Sequence, residues 1–220
     1  MMKKAPTPRT ALAPGIAKVL KQLHCPLDVM LMCVRWYVAY GLSLRNLAEM
    51  MAEPWIEVHH STVYRWDMKL LPVLEKAFRL RKRPAGKSWR MDEMHIRVNG
   101  EWRYLYRAVD KNGNTVDFLR RAHRDKVAAR RYFEKAIEAI DADRETPIKI
   151  RRCKYLNNLV EQNFRVIKRR TRPMPGFRNF RCARILLAGI ELMPMIAKGQ
   201  MQCAHGTHPS ADDQFYDLVT

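Results

Sequence analysis

The chain has 220 residues, with 41 Lys and Arg against 22 Asp and Glu, a formal net charge of +19. A hydrophobic fraction of 47% is enough to build a core, so wholesale disorder is excluded, and the basic excess makes a polyanion the first partner to consider. Five cysteines (Cys25, Cys33, Cys153, Cys182 and Cys203) with no CxxC pair argue against a disulfide scaffold or a zinc ribbon and fit a cytoplasmic location. No apolar run is long enough to cross a bilayer: the strongest, 183–197, contains Arg184, Glu191 and Pro194, so no membrane partner is expected.

Residues 1–25 are expected to form a flexible basic arm, whose prolines rule out a signal peptide. In 28–40, Met30, Leu31, Val34 and Val38 fall on one helical stripe, and Gly41 is a natural stop. Ser43 is placed to cap a second helix with Leu44, Leu47, Ala48 and Met51 inward, ended by Pro54. His60 or Ser61 opens a third, which Pro72 is expected to kink or divide. Three helices within 26–78, with a tight turn between the second and third, read as a helix-turn-helix. His60, Ser61, Thr62, Tyr64 and Arg65 would then meet double-stranded DNA, since hydroxyls, an aromatic ring and a guanidinium suit phosphates and base edges. The bland alternative is a plain three-helix bundle with Tyr64 and Trp66 in its core.

Residues 79–87 form a basic linker containing Arg81, Lys82 and Arg83, with Pro84 and Gly86 marking a boundary. From 88 to 120 the pattern alternates with period two, broken at Asn99-Gly100 and at 110–114, which predicts a three-stranded antiparallel meander. A helix at 125–140, a short strand at 146–152 and helices at 154–170 and 178–199 follow. The fold class is therefore α/β (α+β), and the acidic tail 201–220 is expected to be disordered.

Two carboxylates stand out. Asp92 shares a strand face with Met94, Ile96 and Val98, where a charge is costly unless an Arg or backbone donors satisfy it or it binds a cation. Glu161 is the lone acid among the nine Lys and Arg of 149–172, which include Lys168, Arg169, Arg170 and Arg172. An ion pair with Arg165 four residues on would explain it equally well. A strand Asp and a helix Glu also make half of a site that clamps two divalent ions for phosphoryl transfer, with Lys168 near the scissile phosphate. His59-His60 and His205/His208 have no metal-ligand context.

The strings WRMDE, GEWRYLYRAVDKNGNTVDF, KYLNNLVEQ, IKRRTRPM and GFRNFRCAR, with LMCVRWY and HSTVYRW upstream, resemble the DDE transposases of insertion-sequence family six. The resemblance runs from about residue 27 to 201. It implies an RNase H-like catalytic domain over 88–200, with Asp92 and Glu161 as first and third catalytic carboxylates holding Mg2+ or Mn2+, and Lys168 as the basic residue after them. The implied partner is the terminal inverted repeats of an element, bound by a homo-oligomer.

The family's second catalytic Asp has no counterpart string. A strand and its helix, about 17–18 residues at average lengths, are missing between 140 and 146, leaving only Asp141 and Asp143 in the join. Pro54-Trp55 stand where the resemblance implies Arg-Gly, His59 where it implies Asp, and Asn163-Phe164 where it implies Asp-His. Pro194 falls inside the last helix. The expectation is a transposase impaired in strand cleavage and transfer, or, as the alternative, a catalytically dead protein that occupies element ends or inhibits intact transposase.

Overall fold

The computed structural model describes residues 14–20, 23, 25–86, 88–121, 123, 125, 127, 129–132, 134, 165, 167–172, 177–203 and 209–219. The helix α1 spans Pro14–Leu20, α2 Leu27–Ala39, α3 Leu44–Ala52 and α4 His60–Arg81. The strands β1 (Trp89–Val98), β2 (Glu101–Asp110) and β3 (Thr115–Arg121) follow, then α5 (Phe180–Ala197), α6 (Ala211–Tyr216) and a 3-10 turn at Asp217–Val219.

Local chemistry explains the helix ends. Ser43 caps α3 reciprocally: its Oγ accepts from Asn46 N at 3.1 Å while Asn46 Oδ1 accepts from Ser43 N at 3.3 Å. At the other end Ile56 N donates to Met51 O and Trp55 N to Ala52 O, both at 3.0 Å, which is the six-to-one and five-to-two pairing of a Schellman stop. That stop needs a left-handed residue, and here it is Trp55, with φ +64° and its side chain 94% exposed. Helix α4 begins at His60, with His59 Nδ1 accepting from Ser61 N at 3.3 Å. Pro72 does not divide α4. The buried stripe Val63, Trp66, Leu70, Leu71, Leu74 and Phe78 continues across it and holds both halves to the core.

Helices α4 and α5 pack on one another with α2 against them. Gly189 makes the approach possible, because a Cβ there would lie 2.7 Å from Leu71 Cδ2 and 2.9 Å from Val38 Cγ1. One hydrophobic core therefore includes α2, α3, α4, the sheet and α5, so the 79–87 boundary in sequence is not a gap in packing.

The sheet is antiparallel in the order β1-β2-β3. Asn99 (φ +50°) and Gly100 (φ +81°) supply the two left-handed residues of its first turn. Its two faces differ. Met94, Ile96, Val98, Leu105, Val109 and Phe118 belong to the main core, while Tyr106 and Ala108 pack on Ala129 on the opposite side.

Two expectations at the chain's ends need correcting. Within the supposed arm, 14–20 is helical and Ile16 is fully buried; residues 1–13 lie outside the described residues. The supposed disordered tail carries α6, capped by Ser210 with Asp213, and buries Phe215, Leu218 and Val219. Asp212 pairs with Arg35, and Arg81 Nη1 donates to Asp217 O at 2.9 Å. Apolar side chains and a cap outweigh the tail's acidic composition. The strand expected at 146–152 and most of the helix expected at 154–170 lie outside the described residues, although 167–171 is helical.

Candidate nucleic-acid interface and catalytic strand

Because α4 buries Val63, Trp66 and Leu70, the opposite side of its first turns faces solvent. Ser61 and Arg65, four residues apart, are exposed there, with His60 and Thr62 half-buried beside them. Tyr64 is instead turned inward. Its hydroxyl donates to Cys182 Sγ on α5 at 2.7 Å, and burial and that bond push its pKa up to about 12. The bundle is thus tied to α5 through a residue that the helix-turn-helix reading offered to DNA. Further along α4, Asp67 is fully buried, and neither carboxylate oxygen has a hydrogen-bond partner among the described residues. Burial holds its pKa well above the ordinary carboxyl value, and its proximity adds to the raised pKa of Cys33 and Tyr37 on α2.

The basic linker is built into the fold. Lys82 bridges to Met201, Arg83 N donates to Gln200 O and Gln202 N to Arg81 O, both at 2.8 Å. Lys82 Nζ donates to Val116 O, and burial lowers its pKa to about 8. Of Arg81, Lys82 and Arg83, only Arg83 is exposed. The later basic residues divide similarly. Lys168, Arg169 and Arg172 are exposed because Ile167 occupies the core side of that segment, while half-buried Arg170 donates to Val38 O at the end of α2. Arg81, Lys82, Arg170 and Tyr64 therefore have structural partners that the sequence did not reveal.

On β1, Asp92 stands directly opposite Arg107 of β2. Arg107 and Glu191 of α5 are each 1% exposed and form an ion pair at 2.8 Å, and Arg107 also donates to Thr115 Oγ1. Burial lowers the Arg107 pKa and the Glu191 charge opposes that fall. Gln200 closes the same corner, accepting from Thr115 N and donating to Thr115 O, both at 3.0 Å. Sequence reasoning missed this cluster, though the signal was present. Arg107 interrupts the inward alternation Leu105, Arg107, Val109, and Glu191 is the lone acid in 183–197.

Of the implied catalytic residues, the backbone of Asp92 and the exposed Lys168 are described, and Glu161, Asp141 and Asp143 lie outside the described residues. Among the described residues no three His, Cys, Asp or Glu converge as a metal site. Among the described residues, Glu191 is committed to Arg107, the residue paired with Asp92 in the β1–β2 register.

Comparison with known proteins gives the family. A DDE domain matches residues 86–152 and 141–200. The transposase for insertion sequence-like element IS431mec of Staphylococcus aureus is 34% identical, over 78% of this chain and 85% of that protein. The chain belongs to the DDE transposases of insertion-sequence family six. The transposase for insertion sequence element IS257 in transposon Tn4003, also from Staphylococcus aureus, is 33% identical over the same shares of the two chains. An uncharacterized protein, pYV0051, of Yersinia pseudotuberculosis is 41% identical over 64 residues, 29% of this chain and 60% of that protein. The alignment to the first relative spans 194 positions, yet 78% of 220 residues is about 172, so about 22 positions of that transposase have no counterpart here. The two DDE segments meet and overlap at 141–152. Among the described residues no helix is long and apolar enough to cross a membrane.

Proposed function

We propose that this family-six transposase binds the terminal inverted repeats of an insertion element as a homo-oligomer and is impaired in strand cleavage and transfer. The observation that carries the reading is the shortfall of about 22 positions against a 34% identical transposase, together with the DDE match that breaks at 141–152. It agrees with the strand-and-helix unit expected to be absent from the sequence. The reaction class is in-line attack on a phosphodiester by water or a 3′-hydroxyl, with Asp92 and Glu161 as the retained carboxylates, Mg2+ or Mn2+ as the metal and Lys168 on the phosphate. Two carboxylates neutralise less transition-state charge than three.

DNA binding is assigned to the exposed Ser61 and Arg65 of α4, supported by Arg83, Arg169 and Arg172, in the cytoplasm where the element resides. The missing positions favour a second reading of the same molecule, in which it occupies element ends without cutting them or joins intact transposase in inactive oligomers. Gel retardation tests the shared part. Element-end duplex should be retarded by the chain, with affinity falling steeply as salt rises, and Arg65→Ala should bind several-fold more weakly. Absence of retardation at low salt would sink both readings.

A further inference from the structure

The outer face of the β1–β2 hairpin carries a group that neither the core nor the DDE chemistry uses. Antiparallel pairing sets Arg97 opposite Trp102, and His95 opposite Tyr104, which pairs onward with Arg121 of β3. All five side chains lie on one face, away from Met94, Ile96 and Leu105. The His95 ring meets Tyr104 edge-on at 4.9 Å between centroids and Trp102 edge-on at 6.4 Å. Trp102 is 63% exposed, His95, Arg97 and Arg121 are exposed, and Tyr104 is half-buried.

The next row marks the limit of this platform. There Tyr106 and Leu119 pack with Ala129, and half-buried Glu93 stands opposite Tyr106. The exposed rows hold three aromatic rings and two guanidinium groups and no carboxylate; Glu101 points to the other face, where it pairs with Arg103.

We infer that this face binds unpaired DNA, with bases stacked on Trp102 and Tyr104 and phosphates held by Arg97 and Arg121. Rings in reach of solvent offer π-faces that only an unstacked base can cover, because duplex bases already cover one another. The two flanking cations supply charge for the phosphates of a single strand, and the two exposed rows hold no carboxylate to repel it. The inference rests on the reading of the chain as a DNA binder only for the choice of DNA as occupant.

The test uses the full chain and two labelled probes at fixed salt, a short oligothymidylate and a blunt element-end duplex. Trp102→Ala is expected to weaken oligothymidylate binding about tenfold or more, from the loss of one stacking partner, and Trp102→Phe to restore most of it. Arg97→Ala is expected to weaken it less and to flatten its salt dependence. Duplex binding should be unchanged in the Trp102 variants. Equal oligothymidylate affinity for the full chain and Trp102→Ala, or no oligothymidylate binding by the full chain, would overturn the inference. So would a Trp102→Ala chain whose oligomeric state changes while its oligothymidylate affinity does not, since the face would then dock protein. Arg65→Ala acts on the duplex probe alone, so failure of the α4 interface is read separately.

Discussion

At the start of α4, Ser61 and Arg65 reach solvent because Val63, Trp66 and Leu70 hold the other side of the same helix. On β1, Asp92 pairs in register with Arg107 of β2, whose side chain is ion-paired to Glu191 of α5, 84 residues further along the chain. The α4 surface is local, set by one helix and its cap, so losing residues near 141–152 leaves its pattern intact. The catalytic strand depends on convergence, and a carboxylate lost from one segment is not replaced by its neighbours. Under the proposed function, a shortened transposase would keep a DNA-facing helix while its phosphoryl-transfer centre is incomplete.

The largest expected effect breaks the convergent side. Arg107→Met removes the guanidinium 2.8 Å from the buried Glu191 carboxylate and should cost about 3–5 kcal/mol in denaturant unfolding. Arg107→Met with Glu191→Leu should recover most of that loss, because a well-packed apolar pair avoids desolvating two charges. A single variant as stable as the double would mean that the pair contributes nothing to the sheet–α5 junction.

Gly189→Ala tests whether the helical unit and α5 are one packed body. The added methyl meets Leu71 at 2.7 Å and Val38 at 2.9 Å, and overpacking of this kind costs roughly 1–3 kcal/mol. An unchanged melting temperature would show that α4 and α5 separate easily.

Asp67 gives the helical side a pH signature. Its folded pKa is raised by burial, so its contribution to stability is fully present below the ordinary carboxyl value and is lost as pH rises from there toward the folded pKa. Thermal melts over a pH series should show the wild-type chain losing stability relative to Asp67→Asn with increasing pH. Parallel profiles would contradict a buried, neutral Asp67.

The smallest effect lies in the turn. Trp55→Gly relieves the left-handed strain at φ +64° while adding freedom to the unfolded chain, for a net gain of roughly 0.5–1 kcal/mol. A loss of stability would mean that the exposed indole has a packing role.

The same contrast explains what was legible in the sequence. The Ser43 cap, the stripe of α2, the Asn99-Gly100 hairpin and the meander follow from residues a few positions apart, and the structure agrees with each. Pro72 does not divide α4, because tertiary packing along the helix outweighs one lost hydrogen bond. The tail was misread because composition hid Phe215, Leu218 and Val219 behind three aspartates. Arg107–Glu191, Tyr64–Cys182 and Lys82–Val116 are 84, 118 and 34 residues apart in sequence, and no local pattern announces such partners. The candidate site residues Asp92, Glu161 and Lys168 came from chemistry and resemblance together, and the proposed absence of a second Asp could be read only against a family pattern.

The most direct measurement incubates the purified chain with end-labelled element DNA and Mg2+ or Mn2+ and resolves retarded complexes and strand products from the same samples. Retarded DNA with little or no nicked or joined product is the expected result. Efficient nicking and joining that disappears in both Asp92→Ala and Glu161→Ala would contradict it, and would mean that this chain completes its carboxylate set despite the positions it lacks.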